Sequence, residues 1–143
     1  MGMIEFVTFE QAIKLKEKGF PQHWSDNAYI IENEYDEKFE IGSRYPLQFI
    51  PDYVNTVSSP TIEEVLKWLR EEKEIFIAIN IRWCYEDDEH PFYEVNKPIF
   101  KGYFCSIHYL NNLSKLDNYI SVDYPKFEQA GSDGINYVLE KVI

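Results

Sequence analysis

The sequence predicts a single α+β domain, residues 1–143, in which three helices pack mainly on one face of an antiparallel sheet. Three observations lead to this fold class. A chain of 143 residues is the length of one domain. Hydrophobic residues make up 45% of it and aromatic residues 17%, enough to form a buried core. The elements follow the order helix, two short strands, helix, three-stranded meander, helix, which is typical of an α+β arrangement.

The first helix is predicted after Thr8. Thr8 and Gln11 have the spacing of a capping box, in which the two side chains satisfy backbone amides at the helix start. Gly19 follows a lysine-rich last turn and suits the left-handed conformation that ends many helices. We therefore expect a helix between Thr8 and Gly19.

Residues 29–31 and 38–41 are predicted to be two short strands, joined by a turn over the acidic residues 32–37. From Gly42 to residue 58 the chain carries two prolines among large aromatic side chains. We expect this part to be an extended connection along one edge of the core.

The second helix is predicted over residues 61–73. Thr61 and Glu64 form another capping box. The apolar residues that follow recur with the spacing of an amphipathic helix. They are Ile62, Val65, Leu66 and Leu69.

The meander is predicted to begin with the clearest strand of the chain, residues 75–83. Isoleucines at every second position predict one buried face, which we expect the helices to cover. A hairpin loop over 85–91 would lead to a return strand at 92–95, and residues 102–109 would form the third strand.

The third helix is predicted from Pro125 to the C-terminus. Gly131 and Gly134 lie on its apolar face. Glycine inside a helix costs about 1 kcal/mol relative to alanine. We therefore expect the two glycines to mark a close approach of this helix to the sheet or to another helix.

Three blocks of the chain together cover about a third of it. They are residues 6–20, residues 59–70 around Ser59-Pro60-Thr61 and Lys67-Trp68-Leu69-Arg70, and residues 127–139 around Phe127-Glu128-Gln129-Ala130. As a set, these blocks resemble small uncharacterised acidic proteins of gut anaerobes and of their phages and prophages. The resemblance implies an accessory protein of mobile-element type, and it implies no catalytic residue.

Charge restricts the classes of partner. The chain has 25 acidic and 14 basic residues, a formal net charge of −11. Nucleic acids and anionic membranes are bound by surplus lysine and arginine, so we expect neither as a partner. The sequence also lacks a membrane span and a signal-peptide pattern, and its two cysteines are too few for a disulfide scaffold, which favours the cytoplasm.

Metal and cofactor sites are not predicted. Cys84, His90, Cys105 and His108 have the side-chain types that bind zinc. Cys105 and His108 are three residues apart, however, so in a strand they point to opposite faces. The acidic run 86–89 lacks the ligand pattern of a calcium-binding loop and is better explained as a solvated turn.

Catalysis is an open alternative. The sequence has no nucleophile elbow and no phosphate-binding loop. Three histidines, His23, His90 and His108, are scattered along the chain, and an enzyme site assembled around one of them is the main alternative to a binding function.

The leading hypothesis is a non-catalytic protein that binds a protein partner through an acidic surface flanked by aromatic side chains. Aromatic residues are favoured at the centres of interfaces, although they also fill gaps at the edge of a core. A sharper variant is an inhibitor that mimics nucleic acid through the acids of 32–40 and 86–89 and so blocks a basic protein. The predicted partner-binding residues are Trp24, Tyr45, Phe49, Tyr53, Glu86, Asp87 and Asp88.

Overall fold

The fold is known from a computed structural model that describes residues 5–33, 38–85, 98–110 and 119–143. Within these ranges the chain forms three α-helices and two antiparallel sheets, which confirms the α+β class. The helices are α1 (Phe9–Glu17), α2 (Ile62–Glu72) and α3 (Phe127–Tyr137), and the strands are β1 (Asn27–Glu32), β2 (Arg44–Pro46), β3 (Asn55–Ser58), β4 (Ile75–Tyr85) and β5 (Pro98–Tyr109).

The first two helices begin where their capping boxes predict. In α1 the Thr8 hydroxyl accepts from the backbone of Gln11, and the Gln11 side chain accepts from the backbone of Thr8. Thr61 and Glu64 make the same pair of bonds at α2. Gly19 follows α1 with φ +94°, the left-handed conformation predicted for it. Local hydrogen bonds thus determine both helix starts.

The first sheet has the order β2-β1-β3. The predicted strand at 38–41 is wrong, because those residues turn and bend. The Phe39 side chain is buried in a small cluster with Ile30 and Val54, and Gly42 N donates to Ile30 O at 2.8 Å. β1 pairs instead with β2 and β3, two strands within the segment predicted to be a mere connection.

The second sheet is a long hairpin in which β4 pairs with β5 along its whole length. The predicted return strand at 92–95 lies outside the described residues, and the predicted third strand at 102–109 is part of β5, the direct neighbour of β4. On the other side of β5, isolated bridges join Tyr103 to Tyr124 and Ser106 to Ile120. β5 is therefore the central strand of this region.

The main core lies between this hairpin and the helices, where α2 contacts β4 and α3 contacts both strands. Ile75 and Ile77 are buried, as the alternation predicts, but Ile81 is 47% exposed. The expectation that the helices cover the isoleucines from 75 to 81 is thus wrong for the last of them, because the helices end before the strand does.

The glycines of α3 confirm the predicted close approach. A Cβ added at Gly131 would lie 2.9 Å from Ile62 Cγ2 in α2 and 3.2 Å from Ile79 Cδ1 in β4. One added at Gly134 would lie 2.6 Å from Ile77 Cγ2. A five-residue π-helical segment, Val138–Val142, follows α3. The glycines let α3 lie directly against the sheet.

No helix among the described residues is both long and apolar enough to cross a membrane.

Candidate interaction surface

A 3₁₀ turn, Leu47–Phe49, places apolar side chains in solvent beside the start of β1. The turn follows Pro46 at the end of β2, and Leu47 N donates to Asp26 O at 2.9 Å. Ile50 N closes the turn by donating to Leu47 O at 3.0 Å. We call the exposed residues Trp24, Asp26, Leu47, Phe49 and Tyr53 the loop surface.

The most exposed aromatic rings of the loop surface are those of Phe49, with 65% of the residue in solvent, and Tyr53, with 60%. Large apolar side chains are usually buried, and neighbouring exposed ones are typical of contact sites. A depression of about 510 Å³ lies beside the turn, a volume within the range of ligand sites. Its lining residues are Asp26, Asn27, Pro46, Leu47 and Gln48.

The residues predicted to bind a partner fall into three groups. Phe49 and Tyr53 are exposed, and so is Trp24, whose ring also packs edge-on against Phe20 with centroids 5.8 Å apart. Tyr45 is half-buried, with its ring 5.1 Å from Phe39 in the small cluster below. The predicted residues Glu86, Asp87 and Asp88 lie outside the described residues.

Sequence reasoning missed Asp26 and Leu47. Their relevance depends on the hydrogen bond that joins them across 21 positions of the sequence. Pro46 was the available signal, because proline cannot continue a central strand and is common where a strand gives way to a turn.

A polar cluster on α3 holds the segment 119–124 against the helix. The hydroxyls of Tyr119 and Tyr124 both donate to the Asp133 carboxylate, and the Tyr119 ring stacks on Tyr137 at 3.9 Å. Donation to Asp133 raises the pKa of Tyr124 to about 12, and burial together with Asp133 raises the pKa of Tyr119. Both phenols therefore stay protonated at neutral pH, and their hydrogen bonds to Asp133 hold the segment 119–124 against α3.

Cys105 lies beneath this segment. Its backbone amide donates to Ser121 Oγ at 2.8 Å, and its side chain is fully buried. Burial raises the pKa of the Cys105 thiol. Because the thiolate is the reactive form, this cysteine is poorly suited to nucleophilic attack.

His108 is the histidine with a described side-chain partner. Its Nε2 lies 2.9 Å from Ser106 Oγ on the solvent side of β5, and the opposite, inward side of the strand carries Cys105. His23 is exposed, and His90 lies outside the described residues. Neither the depression beside the loop surface nor a second one of about 460 Å³ beside α2 is lined by a histidine.

Among the described residues, no group of three or more histidine, cysteine, aspartate or glutamate side chains is placed to hold a metal ion. An enzyme site assembled around a histidine stays a prediction.

No protein-family model, no curated protein and no solved structure matches this chain.

Proposed function

We propose that this protein is a non-catalytic, cytoplasmic accessory protein, of the type carried by mobile elements, that binds a protein partner through the loop surface. The observation that carries this proposal is the exposure of Phe49 and Tyr53, of which Phe49 directly follows Gln48, a residue that lines the depression. Aromatic rings supply large contact areas at low entropic cost and are enriched among the residues that dominate binding energy.

The charge of the chain indicates what kind of partner fits. With a net charge of −11, the protein attracts basic surfaces and repels acidic ones at long range. Asp26 is the charged residue of the depression, and Asp52 is the exposed residue directly before Tyr53. A basic segment can thus place a cation over these rings or beside these carboxylates.

The experiment is quantitative capture after cross-linking in cells, with two matched double variants. Phe49→Ala with Tyr53→Ala removes the two most exposed rings of the loop surface. Ile120→Ala with Val122→Ala removes apolar side chains of similar exposure, 60% and 69%, elsewhere on the protein.

We expect one or a few proteins to be enriched by the wild type and by the control variant, and to fall at least tenfold with the loop-surface variant. Their capture should also weaken as salt rises, because long-range charge attraction is screened. Enrichment that is equal for both variants would refute the proposal, as would the absence of any enriched protein.

The hypothesis of nucleic-acid mimicry stays a prediction. Glu32 and Glu40 are exposed, but the acids of 34–37 and 86–89 lie outside the described residues. Capture of a DNA- or RNA-binding protein would favour nucleic-acid mimicry if two conditions hold. Changes at Glu32 and Glu40 must abolish the capture, and the loop-surface variant must retain it.

A further inference from the structure

The second half of β4 extends past the helix that covers the first half. Eleven residues of α2 span about 16 Å, whereas eleven residues of β4 span about 36 Å. α2 turns directly into β4, and its first residue, Ile62, approaches Gly131 together with Ile79. The helix therefore ends at the level of Ile79.

Exposure along β4 follows this geometry. On the face toward the helices, Ile75 and Ile77 are 3% and 5% exposed, Ile79 is half-buried, and Ile81 and Trp83 reach 47% and 54%. The register shift of the hairpin after Arg82 leaves the alternation of β4 intact, because the extra residue lies in β5. One continuous apolar face thus has a covered half and an uncovered half.

One edge of β4 lacks a strand partner among the described residues. All its strand pairing is with β5, and the bridges to the segment 119–124 are made by β5 on its far side. An unpaired edge offers a row of backbone donors and acceptors to another strand. Eleven residues is long for such an edge.

The edge is also almost uncharged, which indicates what it binds. Within β4 the single charged residue is Arg82, and its Nε donates to Asp123 Oδ1 at 2.6 Å. Natural edges are usually protected by lysine, proline or short length, and β4 has none of these. A basic partner gains little charge attraction here, whereas a neutral apolar strand pairs without repulsion.

We propose that this edge binds the β4 edge of a second copy of the chain, antiparallel and two-fold symmetric about Asn80. This proposal is independent of the function of the loop surface. In an antiparallel pair centred on Asn80, Ile79 lies opposite Ile81 of the second copy, and Ile77 lies opposite Trp83 of the second copy. Arg82 lies opposite the small Ala78, so no like charges face each other.

The symmetric register explains why the uncovered half is apolar. It places Ile81 and Trp83 of each copy beside Ile79 and Ile77 of the other, next to the half that α2 covers. Each helix layer then extends over part of the neighbouring strand. A two-fold contact of this kind uses the same surface on both copies, so one exposed segment suffices to form it.

The first test is sedimentation velocity on the whole chain from low to high micromolar concentration. We expect a concentration-dependent species of twice 17.1 kDa. Dimerisation should strengthen between 0.05 and 0.5 M NaCl, because salt screens the repulsion between two chains of charge −11. A monomer at every concentration and salt would overturn the proposal.

A matched pair of variants tests the location. Ile81→Lys places a charge at the edge, and Val122→Lys makes the same charge change at an exposed position beside the far edge of β5. We expect Ile81→Lys to weaken dimerisation at least tenfold and Val122→Lys to leave it within about twofold, with both variants melting cooperatively. Dimerisation of Ile81→Lys at wild-type strength would refute the edge contact.

A cysteine on the proposed axis tests the register. Asn80→Cys in a Cys84→Ser background should form a disulfide-linked dimer on mild oxidation, because directly opposite residues lie within disulfide distance. Val122→Cys in the same background should not. Equal cross-linking at both positions, or none at Asn80→Cys, would overturn the symmetric pairing. A failure of the capture experiment with the loop-surface variant would bear only on the proposed function and not on this dimer.

Discussion

Gly134→Ala is the sharpest test of how α3 packs against the sheet. The added methyl carbon would lie 2.6 Å from Ile77 Cγ2 and 3.2 Å from Cys105 Sγ, whereas carbon atoms pack favourably at about 3.5–4.0 Å. Ile77 Cγ2 is bonded directly to Cβ, so it moves away only if the Ile77 side chain leaves its χ1 rotamer or if the strand or the helix shifts. Overpacking of this kind costs about 1–3 kcal/mol.

Two opposing effects decide the sign for Gly134→Ala. Replacing a helical glycine by alanine normally stabilises by about 1 kcal/mol. The added carbon would be closer than 3.5 Å by about 0.9 Å at Ile77 Cγ2 and by about 0.3 Å at Cys105 Sγ. We therefore expect a steric cost in the upper part of this range, about 2–3 kcal/mol, which exceeds the gain in helix propensity. The free energy of unfolding should fall by about 1–2 kcal/mol. At about 4 °C per kcal/mol for a chain of this size, Tm would fall by about 4–8 °C.

Urea denaturation and calorimetry measure the change in the free energy of unfolding. Glu71→Ala, at an exposed position of α2, is the control, and its stability should lie within about 0.5 kcal/mol of the wild type. In the double variant of Gly134→Ala with Ile77→Ala, the added methyl group occupies part of the cavity that Ile77→Ala leaves. The loss of stability in the double variant should therefore be smaller than the sum of the two single losses by about 1 kcal/mol or more. If Gly134→Ala instead raises stability by about 1 kcal/mol, as at an unhindered position, the close approach is refuted.

Three further predictions concern the polar cluster, the helix cap and the thiols. Tyr124 donates to Asp133, which raises the pKa of Tyr124 in the folded chain from the usual 10 to about 12. The contribution of this hydrogen bond to the free energy of unfolding is therefore complete below pH 10 and is lost as the pH rises toward 12. The free energy of unfolding of Tyr124→Phe should accordingly be lower than that of the wild type at pH 8, and it should fall less steeply than that of the wild type up to pH 11.5. Parallel pH profiles of stability for the two proteins would contradict the raised pKa. Thr61→Ala removes the cap of α2 and should cost about 1 kcal/mol in urea denaturation; an unchanged midpoint would mean that the cap contributes nothing. Because Cys105 is buried with a raised pKa, Ellman's reagent at pH 8 should react quickly with Cys84 alone, and rapid reaction of two thiols in the native protein would disprove the burial.

The helix starts were predictable because the interactions that determine them are local. Thr61 and Glu64 bond to each other's backbone within one turn, so four residues contain the whole signal. The role of Gly134 was predictable in kind for a related reason. A glycine on the apolar face of a helix is costly unless a neighbour comes close, although the identity of the neighbour, Ile77, came only from the structure.

The strand partners of β1 were not predictable. Residues 38–41 have an acceptable strand pattern, yet the buried Phe39 and the bond from Gly42 to Ile30 hold them in a turn. Strand pairing depends on long-range closure, and a local pattern of alternation does not say which distant segment supplies the partner.

The candidate site divides in the same way. Aromatic composition predicted Phe49 and Tyr53 as contact residues, and both are exposed, whereas the half-buried Tyr45 has the same sequence character. Proline and aromatic residues in the sequence indicate an edge of the core, but they do not determine which aromatic rings are exposed and which are half-buried. Phe49 is exposed at the end of the 3₁₀ turn Leu47–Phe49, which the hydrogen bond from Leu47 N to Asp26 O joins to a distant part of the chain.

The class of fold, the two capped helices and the alternating face of β4 were all predictable from the sequence, because composition and patterns between residues close in the chain indicate them. How far the face of β4 is covered was not predictable in this way. Alternation shows that Ile77 and Ile81 share a face, but the length of α2 against the length of β4 decides that one is buried and the other exposed. Coverage depends on where separate elements begin and end relative to one another in space, and no periodicity within a single strand contains that information.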